Sequence, residues 1–424
     1  MKSSNPHWKR RALAGIATLS ALAGNHWASA QELPSREEMW AIIQQQQAEI
    51  EALKERVGMT EGTLQETQQA ISIASEQVEA TASFVEEVVA DTGSGAASPR
   101  SKTSIGGYGE LHYNFGKKDQ ADFHRWVLFF GHEFNDRVRM FSEVELEHSI
   151  AGDGQPGEVE LEQAFIEFDL NETDKLKAGL FLLPVGILNE THEPATFYGV
   201  ERNNVEKNII PTTWWEGGLA YTHQNASGWA FDAAAHSGLY VPTSGSKAFN
   251  IRSGRQKVGE AEASDGAITT RATYSGLPGM QFGVTAQYQG DLAQGTLAET
   301  ADATLLSAHA DIQRGGFGLR ALYARWDIGG ALAGVNGADE QFGYYIEPSY
   351  RFATETGDWG LFARYSVYDT FAGDDTDSED SFFDLGVNYW PIDNVVFKAD
   401  VQFTDYADSS KNEEIVNLGV GYHF

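Results

Sequence analysis

The closing stretch, Ile415-Val416-Asn417-Leu418-Gly419-Val420-Gly421-Tyr422-His423-Phe424, decides the fold. Val416, Leu418, Val420, Tyr422 and Phe424 fall on one side of an extended chain, with Asn417, Gly419, Gly421 and His423 on the other. Such period-two alternation puts one strand face in an apolar medium and the other in a polar one. A soluble sandwich alternates in the same way, so the pattern alone does not distinguish lipid from a protein core.

Connection lengths make that distinction. Upstream of the closing segment, strand-like stretches recur near residues 105–115, 123–134, 138–148, 159–170, 175–183, 214–222, 229–239, 267–274, 280–289, 303–313, 317–326, 341–352, 359–368, 381–390 and 394–403. Every second connection is a tight turn, as at Asn135-Asp136, Asn171-Glu172-Thr173, Gly315-Gly316 and Pro391-Ile392-Asp393. The alternate connections, including 151–157, 184–213, 240–265, 329–339 and 371–380, are long and polar. Short-long alternation collects the turns on one rim and the loops on the other, as in outer-membrane barrels, whereas a sandwich has no reason to segregate them. The spacing predicts an all-β, sixteen-stranded antiparallel transmembrane β-barrel over residues 104–424, at about 20 residues per strand and connection. It must close, because an open sheet in hydrocarbon leaves edge N–H and C=O groups unpaired.

Residues 1–30 read as a cleavable signal peptide: Lys2, Lys9, Arg10 and Arg11 precede a short apolar stretch that ends at Ala28-Ser29-Ala30. Residues 31–90 read as a periplasmic coiled coil. Ser35 and Glu38 stand at capping-box spacing, and Ile43, Ile50, Val57, Leu64, Ile71, Val78 and Val85 recur at seven-residue steps. The d positions, Met39, Gln46, Leu53, Thr60, Thr67, Ala74, Thr81 and Val88, are only half apolar, so this seam acts as an aid to an oligomer that the barrel concentrates. Residues 91–103, rich in Gly, Ser and Ala, read as a flexible linker.

Composition narrows the function. The chain has no cysteine, which excludes disulfides and thiolate metal sites, and 12% aromatic residues, which suits interfacial ring belts. Its formal charge of −31, or −35 once the four signal-peptide cations are removed, excludes nucleic acid as a partner. Beyond the signal no apolar run reaches the length of a transmembrane helix. The terminal Phe424, with Tyr422 two residues before it, is the kind of end that the barrel assembly machinery recognises.

The stretches IGGYGELHYN (105–114), PGEVELEQAFIEFDL (156–170), GLFLLPVGILNETHEPATFYGVERN (179–203) and IIPTTWWEGG (209–218) resemble the porin family that includes the phosphate-selective porins O and P. The resemblance implies a homotrimer in the bacterial outer membrane with one water-filled pore per subunit, open to ions and small hydrophilic solutes, with anions such as phosphate as candidates. It implies contact with outer-membrane lipid and lipopolysaccharide, and no cofactor or metal. It further implies that the third extracellular loop, here 184–213, folds inward as the constriction; that loop carries Glu190, His192, Glu193, Glu201, Arg202, Glu206 and Lys207. Selective members line their pores with arginines and lysines. Counting inward positions by alternation gives Arg139, Lys177, Arg271, Arg351, Arg364 and Lys398, against Glu110, Glu143, Glu145, Glu160, Glu167, Glu347 and Asp400. Acids at least match bases, so the wall by itself departs from a dedicated phosphate channel and leans toward cations.

Catalysis is not expected. His236 and Ser237 are adjacent and so point to opposite faces of a strand, and no Gly-x-Ser-x-Gly element occurs. The acidic run Asp374–Asp380 lacks the glycine and the closing glutamate of a calcium loop. Glu143, Glu145 and Glu147 share one strand face, where a metal site would need ligands from more than one strand. The competing functional class is a structural anchor, with the barrel in the membrane and the coiled coil tethering it toward the cell wall.

Overall fold

The structure, a computed structural model, describes residues 102–297 and 299–424, together with Trp40, Gln47 and Lys54, each helical and exposed. The expected signal peptide and almost all of the expected coiled coil and linker lie outside the described residues.

Sixteen strands follow in sequence: β1 (Thr103–Phe115), β2 (Gln120–Asn135), β3 (Val138–Glu147), β4 (Val159–Asp169), β5 (Asp174–Leu182), β6 (Trp215–Gln224), β7 (Trp229–His236) and β8 (Ala267–Leu277), then β9 (Met280–Gln289), β10 (Ala303–Arg314), β11 (Phe317–Ile328), β12 (Glu340–Thr354), β13 (Gly357–Asp369), β14 (Asp380–Ile392), β15 (Val395–Asp405) and β16 (Glu414–His423). Each pairs with its chain neighbours, and β1 pairs with β16, so the sheet closes as expected. At the seam Tyr108 faces His423, Glu110 faces Gly421 and Asn114 faces Asn417. The terminal residue completes it: Phe424 N–H donates to Gly107 C=O at 2.9 Å, and Gly107 N–H donates back at 3.1 Å. Most strand ends lie within a few residues of expectation. The first connection on the loop rim, residues 116–119, is shorter than the alternation predicts, and β2 begins earlier as a result.

The polarity of the wall is inverted relative to a soluble protein. Outward side chains such as Val416, Leu418, Phe397, Leu385, Leu361 and Ile346 are largely exposed, while inward Glu110, Arg125, Glu347, Arg364, Asp384, Lys398 and Asp400 are buried. A continuous exposed apolar band of this kind is stable only against lipid. Near the tight-turn rim, outward rings pack against each other across neighbouring strands: Trp229 with Tyr274 (4.9 Å between centroids), Phe317 with Tyr350 (4.7 Å) and Trp359 with Tyr389 (4.5 Å). Amphipathic rings at this height form the interfacial girdle of a spanning barrel.

Candidate functional site

The feature that shapes the lumen is the segment between β5 and β6, residues 183–214. Asn189 joins its two ends: its side-chain amide donates to Leu183 C=O and Trp214 C=O, both at 2.9 Å, and its oxygen accepts from Trp214 N–H at 2.7 Å. From this neck the loop crosses the inside of the barrel. Val205, Ile209 and Ile210 pack with Leu305, Leu322, Trp326 and Tyr345 in one buried apolar cluster. Those wall side chains point inward from β10, β11 and β12, so part of the lumen is apolar because the loop covers it. Apolar residues on the inward face of β10 to β12 were the sequence signal for this docking site.

Polar ties hold the rest. Trp326 Nε1 donates to Ile209 C=O (2.9 Å), Lys398 Nζ to Gly199 C=O (2.8 Å), and Asp400 accepts from Val200 N–H (2.7 Å). Arg364 reaches Tyr198 C=O (3.3 Å) and Glu201 C=O (3.4 Å), and from β2 Arg125 donates to His192 C=O (2.7 Å). Wall glycines let the loop lie close: a Cβ on Gly343 would stand 2.9 Å from Val205 Cγ1 and 3.1 Å from Ile209 Cγ1. Gly343→Val is therefore expected to lift residues 205–209 into the lumen and lower single-channel conductance, which planar-bilayer recording of the folded protein checks.

The loop residues singled out in the sequence divide into anchors and lumen groups. Glu206 is fully buried and accepts from Ile187 N–H (2.6 Å), Leu188 N–H (2.8 Å), Tyr345 OH (2.8 Å) and Asn203 Nδ2 (3.3 Å). Burial raises its pKa against these donors, and the net shift is upward. His192 is buried against the wall. Neither meets solute. Glu201 is tied to His112 (3.1 Å) and Asn114 (3.3 Å), and Glu190 pairs with Arg271. Glu193 is half-buried, and Lys207 is exposed.

The residues expected along the pore lie on the inward face, but many serve as loop supports rather than open lining. Glu110, Glu143, Glu145, Glu347, Arg364, Lys398 and Asp400 are all buried. Arg139, Glu167, Lys177, Arg271 and Arg351 stay partly accessible. Wall cations are mostly matched to acids: Arg125 to Glu110, Arg139 to Glu167 and Asp169, Arg271 to Asp232 and Glu190, Arg320 to Asp311, Arg351 to Asp358, and Arg364 to Glu347 and Asp384. Charges that neutralise each other project little field into the pore, so a count of signs along the wall does not give the net field in the lumen.

What the count missed is a group of cations contributed by two loops. The segment between β7 and β8, residues 237–266, bends onto loop 183–214 and brings Arg252 and Arg255 with it. Arg252 donates to Thr212 C=O (2.6 Å) and Lys207 C=O (3.0 Å), Arg255 donates to Thr213 C=O, and Arg202 donates to Thr213 Oγ1 (2.9 Å). Among the described residues none of Arg202, Lys207, Arg252 and Arg255 has a carboxylate within ion-pair distance. Burial lowers the pKa of Arg252 to about 9, with Arg255 and Arg202 adding repulsion. Burial likewise lowers Arg202 and Arg255, with Arg125 adding repulsion at the first and Arg202 at the second. The basic run Ile251-Arg252-Ser253-Gly254-Arg255-Gln256-Lys257 was the available signal, and nothing local shows that it folds onto the third loop.

His236 hydrogen-bonds Thr269 (2.9 Å) while Ser237 bonds Glu216, so the two form no dyad.

A closed sixteen-stranded barrel with lipid-facing apolar bands, a charged interior and a long loop crossing the lumen is the architecture of an outer-membrane porin. The chain belongs to the phosphate-selective porin O and P family, whose sequence profile matches residues 106–424. A protein of Aquifex aeolicus (strain VF5) is 31% identical over 349 residues, covering 73% of this chain and 77% of that one. Among solved structures, the anion-selective porin from Comamonas acidovorans aligns over 76% of this chain and 99% of its own, with a TM-score of 0.55 at 11% identity. The outer-membrane channel DcaP of Acinetobacter baumannii aligns over 76% and 97% (TM-score 0.52, 11% identity), and OmpT of Vibrio cholerae in its trimer form over 76% and 99% (TM-score 0.51, 10% identity). At such identities these structures share the fold. The protein is an outer-membrane channel for ions and small hydrophilic solutes.

Proposed function

We propose that this porin prefers anions, and that the preference is set by Arg202, Lys207, Arg252 and Arg255 where the two loops meet inside the barrel. The observation that carries this reading is that, among the described residues, none of the four has a carboxylate within ion-pair distance, in a lumen whose other arginines are almost all paired. Confined, uncompensated cations lower the energy of an anion in transit and raise that of a cation. Oxyanions suit the group, since guanidinium presents paired N–H donors that match planar or tetrahedral oxygens. The test is a reversal potential in a potassium chloride gradient, followed by titration with inorganic phosphate. Anion preference with phosphate-dependent block of chloride current is expected; cation preference would overturn the reading.

The assembly reading is a homotrimer with residues 31–90 as a periplasmic helical aid to association. Support comes from the heptad of apolar residues and from the trimer form described for Vibrio cholerae OmpT. Deleting residues 31–90 is expected to leave conductance per pore intact and to lower the temperature at which the oligomer dissociates. Gel analysis of unboiled samples checks this, and an unchanged dissociation temperature would remove that role. Tyr422 and Phe424 are proposed as the assembly signal, outer-membrane lipid and lipopolysaccharide as the surroundings, and residues 1–30 as the export signal.

A further inference from the structure

We propose that Glu143, Glu162 and His192 form a buried divalent-metal site, of the kind zinc occupies, that clamps the constriction loop to the barrel wall. The three come from separate elements: Glu143 from β3, Glu162 from β4 and His192 from loop 183–214. All are buried, with 1–2% of their surface exposed. A site of this kind requires ligands from several elements, and a register shift supplies one of them. Between Glu143 and Val144 the pairing of β3 with β4 slips, leaving Glu162 as the extra residue of β4, and its side chain turns inward beside Glu143.

The distances separate a metal cage from hydrogen bonds. His192 Nε2 stands 3.6 Å from Glu143 Oε1 and 3.5 Å from Glu162 Oε2, and the three ligand atoms all lie within 4.8 Å of one another. Hydrogen bonds to nitrogen fall at about 2.7–3.2 Å, so these contacts are too long. A tetrahedron with metal–ligand bonds of about 2.0–2.2 Å has edges of about 3.3–3.6 Å, which the two spacings from His192 match. Consistent with this, Glu143 Oε1, Glu162 Oε2 and His192 Nε2 are each buried without a hydrogen-bond partner among the described residues. Three orphaned acceptors facing one point would be costly in an otherwise satisfied interior.

Surrounding contacts orient these groups as a metal would need. His192 Nδ1 faces Asn189 C=O at 3.3 Å, an acceptor that favours the proton on Nδ1 and the lone pair on Nε2. The other oxygen of Glu143 accepts from Gln163 Nε2 at 2.6 Å. Charge favours a dication too: two carboxylates, Glu143 and Glu162, face the point, while the neighbouring Arg125 is paired with Glu110. Imidazole with carboxylates is a donor set for zinc and related ions, and the fourth corner falls to water. A second group, Asp122, His124 and His148, shows ordinary hydrogen-bond spacings of 2.8–3.1 Å and so needs no ion. The clamp is independent of the cation group assigned to anion preference: it fixes where the loop sits, whereas that group sets which ions pass.

The test uses the full-length protein, purified folded in detergent without chelator. Elemental analysis is expected to find about one zinc per chain, falling below about 0.1 in His192→Ala and in Glu162→Gln, and unchanged in Asp122→Asn. Gln163→Ala is expected to weaken zinc binding about tenfold with the ligands retained. The wild-type protein refolded with Co2+ is expected to show the strong visible absorption of tetrahedral cobalt, a readout that requires no variant to fold. Chelation is expected to add current fluctuations in bilayer recording without shifting the reversal potential. A folded, conducting wild-type protein that holds no zinc and gives no tetrahedral cobalt spectrum would overturn the proposal, as would zinc retained at full content in His192→Ala.

Discussion

Removing Arg252 and Arg255 together, as the double alanine variant, is expected to remove most of the anion preference of the channel. Both side chains reach across from residues 237–266 to donate to Thr212 and Thr213 of the constriction loop, and neither has a carboxylate partner among the described residues. A unit charge about 4 Å from a transiting ion in watery surroundings is worth about 1 kcal/mol, or about fivefold in a permeability ratio. Two such charges give a change of about twenty-five-fold, which the reversal potential in a salt gradient reads directly. With these two gone, Arg202 and Lys207 remain, so a weakened anion preference is left rather than a reversed one. Raising ionic strength should shrink the difference between wild type and variant, since screening at about 1 M salt acts within about 3 Å. A double variant with wild-type selectivity would move the selectivity filter elsewhere. Glu201→Ala and Arg202→Ala should have smaller effects, because Glu201 is engaged with His112 and Asn114 and Arg202 is one of four cations.

Arg364→Ala is expected to cause the largest loss of stability of any single wall substitution considered. Arg364 is buried to 2% exposure between Glu347 (3.2 Å) and Asp384 (3.1 Å), and it also holds two carbonyls of the constriction loop. Truncation leaves two buried acids facing each other without a counter-charge, at a cost of about 3–5 kcal/mol. The melting temperature of the folded barrel should fall, and the freed loop should make the open-channel current fluctuate. Arg325→Ala is the control. Its pairs with Asp327 (2.6 Å) and Glu340 (2.8 Å) are solvent-exposed, so its loss should cost less than about 1 kcal/mol. Equal effects for the two substitutions would mean that Arg364 is not the keystone its surroundings suggest.

Porins build a channel by placing a loop inside a closed wall, and here the two parts were legible to different degrees. Strand positions were readable because lipid on one side and water on the other impose a period of two, and because turns and loops alternate by rim. The segment 280–289 shows it well: Phe282, Val284, Ala286 and Tyr288 face outward, while Gly283, Thr285, Gln287 and Gln289 face the lumen, where Thr285, Gln287 and Gln289 are buried. Inward residues were readable for the same reason. Their roles were not. Lys398 and Asp400 look alike in the sequence as alternate positions of one strand, yet both are spent on the loop backbone, at Gly199 and Val200.

The sequence by itself determined the barrel, its closure, the number of strands and the side on which each residue stands, because these follow from local periodicity in a two-phase environment. Only the tertiary structure decided which charges remain uncompensated and which ligands meet. Arg202 and Arg255 come together from separate loops, as do Glu143, Glu162 and His192 from two strands and a loop. Such encounters depend on how a long segment packs against the wall, a balance of many burial and hydrogen-bond terms that no short window of sequence encodes.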